Sequence, residues 1–390
     1  MRTQVGIVGA GPAGLMLSHL LYLDGIKSVI VENRSREYVE ARIRAGVLEH
    51  WAADLLVQTG VGERMQHEGL VHGGIHFSFN DELRHIDFKA LVGKGILVYG
   101  QHEVVKDVIA RRLADGGQIL FEVNNVCVEG LTGAPKIRFQ HAGRAQELDC
   151  DFIGGCDGFH GVCRPSVPNG VLTGYEREYP FGWLGILAQA RPVSEELIYC
   201  LHPRGFALFS MRSPELVRLY IQCAPDEDIA QWPDQKIWRE LHARLAAGKS
   251  RELAEGPLIE KGVTAMRSFV VEPMQYGRLF LAGDSAHIVP PTGAKGMNLA
   301  LADVLMLSRG FADYYRTGRS DRLDAYSATC LRRVWKAQRF SWWMTQMLHI
   351  GPRHNAFDRK RQLAELDYVT SSEAAARSLA ENYVGLPLDI

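Results

Sequence analysis

The chain opens on a short, unbroken apolar run, Val5 to Val8, which suits a strand buried on both faces. Leu15, Leu17, Leu20 and Leu21 then give the next segment an apolar helical face. A second apolar run, Val29 to Val31, ends on Glu32. Residues 1–32 therefore predict strand, helix, strand. Farther on, FALFSMRSPELVRLYIQC predicts two strands joined by a turn at Ser213-Pro214-Glu215. Period-2 alternation puts Leu208, Ser210 and Arg212 on one face of the first, and Arg218 and Tyr220 on one face of the second. If the two faces coincide, one sheet surface carries two guanidiniums and two hydroxyls among apolar neighbours. A third pattern is LFLAG, an apolar run that breaks on Asp284 before two prolines, a lysine and a glycine-rich turn lead into a helix-like stretch.

Length and composition narrow the class. At 390 residues the chain can hold two domains or one domain with a subdomain. The formal net charge of −1 favours neither nucleic acid nor an anionic membrane. No apolar run has the roughly 18 residues a membrane helix needs, and the amino terminus lacks a signal-peptide pattern. The seven cysteines form no C-x-x-C pair, which predicts reduced thiols in the cytoplasm. His76, His85 and His202 show no ligand spacing, so no metal is assigned. The pair Trp342-Trp343 reads as packing or as a dimer contact.

Chemistry enters with Gly9, Gly11 and Gly14, a G-x-G-x-x-G between the first strand and its helix. Such glycines allow a tight turn, close backbone approach to a pyrophosphate and close helix–strand packing. The helix amino terminus offers N–H groups and a positive dipole end to phosphates. Glu32 stands where a carboxylate accepts hydrogen bonds from ribose hydroxyls. This motif alone does not choose between FAD and NAD. A second segment, CDGFHG with Asp157, follows the strand-like DCDFIGG, and the third is AGDSAHIVPPTGAKGMN. No second G-x-G-x-x-G is present, so the chain offers no separate nicotinamide domain of that kind.

Together these three segments resemble the nucleotide signatures of the FAD-dependent aromatic hydroxylases. The resemblance runs essentially end to end through RIRAGVLEH, GLVHGG, YPFGWLG, ELIYCLHPRGFAL, RSFVVEPMQ, RFSWWMT and ENYVGLP. It implies an α/β protein: a Rossmann-like FAD domain from residues 1–71, 98–177 and 269–297, an antiparallel-sheet substrate domain from 72–97 and 178–268, and a helical carboxy-terminal region, 298–390, with homodimer contacts. It implies that Asp284 holds the ribityl chain and that Lys295 and the helix amino terminus stabilise negative charge on reduced flavin. Gly296, Asn298, Arg42, Arg44, Gln101, Asp157 and Arg218 join the FAD contacts on the same ground.

The resemblance also assigns a substrate. Ser210, Arg212 and Tyr220 would bind a benzoate carboxylate, an arginine fork suiting two oxygens. Tyr199 and Tyr383 would form a chain from the substrate phenol towards His72, with the Pro291 carbonyl beside that phenol. A relay of hydroxyls can remove the phenol proton without admitting water. The reaction implied is NADPH reduction of FAD, addition of O2 to give a C4a-hydroperoxide, and transfer of one hydroxyl to 4-hydroxybenzoate, giving 3,4-dihydroxybenzoate. Another phenolic or amino benzoate stays open as substrate, as does a flavin-binding regulator without turnover. For NADPH the resemblance implies Asn33, Arg34, Tyr38, Arg44, His160 and Arg267. The first cation after Glu32 is displaced by one residue from the family pattern, and a solvated helix face is the competing reading of Arg34 and Arg36.

Overall fold

The structure is a computed structural model and describes residues 1–42, 46–245 and 252–388. Val5–Val8 lies inside a six-stranded sheet ordered Gln275–Tyr276, Leu279–Leu281, Phe152–Gly155, Val5–Val8, Ser28–Val31, Gln118–Leu120. Every pairing is parallel except that of the short edge strand Gln275–Tyr276. All four residues of Val5–Val8 are buried, which is why the run contains no polar position. The helix Pro12–Leu23 packs against Gln101–Ala114 and Gly296–Thr317, so every residue from Ala13 to Leu21 is buried.

A second, eight-stranded sheet runs His287–Ile288, Leu258–Glu272, Thr173–Ala188, Leu216–Cys223, Gly205–Ser213, Ile198–His202, Gly74–Phe79, Glu82–Asp87. It is antiparallel apart from one pairing, Ile198–His202 with Gly74–Phe79, which is parallel. The sequence expectation of a wholly antiparallel sheet fails there because the 74–87 hairpin arrives from a distant part of the chain and no tight turn dictates its direction. His72 is not in this sheet. It ends Leu70–His72, which pairs with Ile96–Val98 in a separate three-stranded sheet.

The two faces of the large sheet are distinct. Ile198, Ala207, Phe209, Leu219 and Ile221 pack in one apolar cluster with Trp238 and Leu241 of the helix Asp234–Arg244. Tyr199, Phe206 and Leu208 face a different cluster, shared with Phe340, Met344, Leu379 and Tyr383. These last belong to Tyr326–Leu348 and Glu373–Val384, which with Gly296–Thr317 and Ala356–Ser371 make the carboxy-terminal part mostly helical. The fold is thus α/β, a parallel nucleotide-type sheet beside a largely antiparallel one.

The first turn is built on close approach. Gly9 has a left-handed φ of 103°, and a Cβ on Gly14 would stand 2.0 Å from the Gly9 carbonyl oxygen. In an unconstrained helix Gly→Ala stabilises by roughly 0.5–1 kcal/mol. Here we expect Gly14→Ala to destabilise by about 1–3 kcal/mol, because backbone must shift. Urea unfolding of the purified variant measures this, and a raised midpoint would contradict the close approach.

Candidate active site

The register settles whether the two polar faces coincide. Gly205–Ser213 and Leu216–Cys223 pair with Leu208 opposite Tyr220 and Ser210 opposite Arg218. Residues directly opposite in an antiparallel pair share a face, so Leu208, Ser210, Arg218 and Tyr220 do. Tyr199 joins them, since it lies opposite Leu208 on the next strand. A register shift between Met211 and Ser213 falls on Arg212. Such irregularities bend a strand and re-aim a side chain.

Arg212 carries the sharpest electrostatic signal. Its Nε and Nη1 are buried and have no hydrogen-bond partner among the described residues. Burial lowers its pKa, the Tyr220 phenol beside it opposes that, and nearby Arg218 reinforces it. An arginine nevertheless stays charged. Arg218 also has a buried, unpartnered Nε, while its Nη1 reaches Glu260 at 3.4 Å. Ser210 is buried alongside. A buried guanidinium without an acid is costly unless an anion completes it.

At the other end of the face, the hydroxyls of Tyr199 and Tyr383 are hydrogen-bonded to each other. The Tyr199 hydroxyl also donates to the Thr292 carbonyl at 3.3 Å. Burial raises the pKa of both phenols, so both remain protonated. Pro291, whose carbonyl the family resemblance puts beside the substrate phenol, directly precedes Thr292. The Pro291 carbonyl accepts from the Ala294 N–H at 2.9 Å, in the short turn Pro291–Gly293, and Thr292 is the carbonyl that Tyr199 meets. His72 is buried, and neither ring nitrogen has a partner among the described residues, so no hydrogen bond joins Tyr383 to it. Burial pushes His72 down to about 4, with Glu196 opposing and Arg212 adding to the shift. It is therefore neutral at pH 7.

The nucleotide segments converge on the carboxyl ends of the parallel strands. A Cβ on Gly11 would meet nothing within 4 Å, so the face of the turn is open to a ligand. Glu32 is nine-tenths buried, and its two oxygens accept the N–H groups of Ala10 and Arg34 at 2.7 and 2.8 Å. This fixes the carboxylate beside the turn with lone pairs to spare. Asp157 accepts from the Cys163 N–H at 2.8 Å with Oδ2, while its buried Oδ1 has no partner among the described residues. Asp284 is exposed in the turn Gly283–Ser285. Gly296 opens the helix Gly296–Thr317, and no atom lies within 4 Å of a Cβ placed on it. Gln101 begins the helix Gln101–Ala114, and Arg42 ends Arg36–Ala41 on the surface. Arg44 lies outside the described residues. This open turn, the fixed acid and the exposed helix start fit a dinucleotide such as FAD.

Two residues are more engaged than expected. Lys295 Nζ is 2.6 Å from Glu49 Oε1, both side chains being buried, and 3.1 Å from the Tyr383 carbonyl. The Asn298 amide spans Val47, Glu49 and Ala294 backbone at 2.9–3.0 Å. Both therefore hold the 47–49 segment to the helix start, and any charge Lys295 lends a flavin is already shared with Glu49. Glu49 was missed in the sequence, as was Arg333, whose Nη2 lies 2.6 Å from Glu49 Oε2. Burial would raise the Glu49 carboxyl, but Lys295 and Arg333 hold it below its usual value. Its segment, RIRAGVLEH, carried the family resemblance but offered no local signal of a buried acid.

The remaining residues lie on the surface in two groups. His160 packs edge-on to Phe159, and Arg267 stacks 4.7 Å from the same ring. Arg34 lies 5.1 Å from the Tyr38 ring, with Asn33 exposed next to it. Arg36 pairs with Glu40 at 2.6 Å on the solvated face of Arg36–Ala41, so for Arg36 the competing reading holds.

Comparison with known proteins agrees with this geometry. Residues 2–341 match the family model described as FAD binding domain. The p-hydroxybenzoate hydroxylase of Acinetobacter baylyi is 50% identical over 391 positions, covering 100% of this chain and 97% of that protein. The chain belongs to the FAD-dependent aromatic hydroxylases. The fold agrees over its whole length with p-nitrophenol 4-monooxygenase PnpA from Pseudomonas putida DLL-E4, at TM-score 0.84 and 17% identity, covering 99% of each chain. PqsL of P. aeruginosa shares it at TM-score 0.74 and 18% identity, covering 97% of this chain and 99% of that one.

Arg212 has two buried donor positions without a partner among the described residues, which suits an arginine that holds a carboxylate. We expect Arg212→Ala to weaken binding of 4-hydroxybenzoate by roughly ten- to a hundredfold, from about 1.5–3 kcal/mol for a charge-assisted bond. Flavin-perturbation titration measures it, and unchanged affinity would remove this arginine as carboxylate anchor. Tyr199→Phe keeps the ring but breaks the hydroxyl pair. It should leave NADPH oxidation running while more hydrogen peroxide, and less dihydroxybenzoate, forms per NADPH. Product counting decides this, and wild-type coupling would sink the relay.

Proposed function

We propose that this hydroxylase converts 4-hydroxybenzoate to 3,4-dihydroxybenzoate with consumption of NADPH and O2. The observation that carries this reading is Arg212, whose buried Nε and Nη1 have no partner among the described residues, beside Tyr220 of the row that also bears Tyr199. A carboxylate at one end and a phenol at the other complement that arrangement. The 50% identical relative bears the name p-hydroxybenzoate hydroxylase, which supports the same substrate.

FAD, when bound, supplies the reduction of O2 and delivery of one oxygen atom to the ring. The chain does the rest. Arg212 anchors the carboxylate, with Ser210 and Tyr220 completing its shell. The hydroxyl pair Tyr199–Tyr383 draws the proton from the substrate phenol, and the phenolate ring is more electron-rich at the adjacent carbon. His72 would take part farther along only once a bridging group links it to Tyr383, since neither of its ring nitrogens has a partner among the described residues. The apolar packing of Phe206, Leu208, Phe340 and Met344 keeps water from the reacting ring. The first turn of Gly296–Thr317 presents backbone N–H groups and a positive dipole end to negative charge on the reduced cofactor.

The discontinuous division into an FAD domain, a substrate domain and a helical region belongs to this reading, as do a homodimer and a cytoplasmic location. No helix among the described residues is long and apolar enough to cross a membrane. A panel of substituted benzoates, scored for product formed per NADPH, tests the substrate. Equal coupling with a 3-hydroxy or 4-amino analogue would overturn the assignment.

Arg34, Tyr38, His160 and Arg267 read the NADPH 2′-phosphate side in this account, and no acid at position 33 or 34 repels it. Arg34→Glu should lower the preference for NADPH over NADH. Steady-state rates with both nucleotides test this, and an unchanged ratio would show that the segment does not sense the phosphate.

A further inference from the structure

Three side chains used by neither the hydroxylation face nor the nucleotide segments meet at the edge of the eight-stranded sheet. His76 on Gly74–Phe79 and His85 on Glu82–Asp87 are directly opposite in an antiparallel pair. The His76 N–H donates instead to the Leu197 carbonyl, at 2.8 Å on the other side of the strand. The His76–His85 pair is therefore of the non-hydrogen-bonded kind, in which side chains approach most closely. Their ring centroids are 4.7 Å apart.

Glu196 reaches this pair from the approach to Ile198–His202. Its Oε2 is 2.7 Å from His85 Nε2 and 3.7 Å from His76 Nε2. Its Oε1 accepts the Gly74 N–H at 2.7 Å, which fixes the carboxylate's direction. A Cβ on Gly74 would stand 2.5 Å from His85 Nε2, so the bare glycine is what lets the imidazole fold inwards. One ligand atom from each of the three lies within 4.8 Å of the other two. The side chains are 17%, 40% and 20% exposed for His76, His85 and Glu196, so the cluster is organised yet reachable.

We propose that His76, His85 and Glu196 bind one divalent transition-metal ion of the zinc class. Two imidazole nitrogens and one carboxylate oxygen make a three-ligand set that leaves a fourth position for water. Imidazole donors select zinc, copper or nickel over magnesium and calcium, which take oxygen shells. The Gly74 N–H on Glu196 acts as an outer partner that orients a ligand. A bound ion ties the hairpin following His72 to the segment that leads into the Tyr199 strand, so its effect is to brace that corner of the sheet. Spacing along the chain does not reveal the cluster, because Glu196 is far from the histidines and these become neighbours only when the hairpin forms.

The test titrates ZnCl2 into untagged, FAD-loaded, full-length protein freed of metal by a chelator, with a metallochromic chelator as competitor. Wild type should take up one tight equivalent of Zn2+ per chain and unfold at a higher temperature when saturated, with no such response to MgCl2. His85→Gln and Glu196→Gln should each weaken that equivalent roughly tenfold or more and lose the thermal gain. His85 is two-fifths exposed, and glutamine at 196 keeps an acceptor for Gly74, so both variants should fold, checked by circular dichroism and flavin content. Zn2+ uptake by His85→Gln with wild-type stoichiometry and affinity, or no tight equivalent in wild type, overturns the proposal.

Discussion

Two opposite charges buried where the chain crosses from the parallel sheet to its long helix constrain everything around them. Lys295 and Glu49 are 246 residues apart, yet their charged atoms lie 2.6 Å from each other with almost no solvent contact. Removing one partner of such a pair costs about 3–5 kcal/mol, because the other is left buried and uncompensated. The pair also reaches outwards. Lys295 donates to the Tyr383 carbonyl, Glu49 accepts from Arg333, and Asn298 closes the 47–49 segment onto the helix start. The helix start at the flavin side and the tyrosine of the proton path are therefore positioned by one network.

That network clarifies which buried cations serve the fold and which serve a ligand. Lys295 has its acid inside the protein and waits for nothing. Arg212 keeps some solvent contact, but two of its donor positions are buried and have no partner among the described residues. Buried donors are nearly always satisfied in folded proteins, so these two positions, beside the Tyr220 phenol, are suited to an anion. Asp157 Oδ1 and both nitrogens of His72 are exceptions of the same kind, and they fall along the cofactor and proton-path segments. Asp303 shows the opposite case: it accepts from Gly283 and His287 at 2.9 and 2.6 Å and locks the Asp284 turn to the long helix.

Legibility in the sequence follows the range of each interaction. Val5–Val8, its glycine turn and Glu32 were readable because strand, turn and acid are close along the chain. The shared face of Leu208, Ser210, Arg218 and Tyr220 was readable because a short turn fixes hairpin register. The Tyr199–Tyr383 contact was reachable only through family resemblance, since periodicity says nothing about residues 184 apart. Glu49 escaped because a buried acid looks like any other until its cations arrive from elsewhere. The tight turn in which Ala294 donates to the Pro291 carbonyl was not readable either, and it leaves that oxygen a second lone pair. Parallel pairing of the 74–79 strand was invisible for a related reason: no neighbouring turn sets its direction.

The rows of the sheet explain why a para-substituted ring suits this site. Tyr199, Leu208 and Tyr220 stand in one row across three strands, and Ser210 and Arg218 in the next. Arg212 lies four residues from Leu208, about 13 Å along an extended strand, and the irregularity at Met211–Ser213 re-aims its side chain. Arg212, the proposed carboxylate anchor, and Tyr199, the proposed partner of the phenol, are therefore separated along the sheet. A ring bearing its two polar groups at opposite ends can satisfy Arg212 and Tyr199 together. In the proposed reading, moving the hydroxyl away from the para position takes it from the Tyr199 hydroxyl, whose own bonds to Tyr383 and Thr292 persist. Selectivity then comes from losing the path for the phenol proton rather than from a buried group left unpaired.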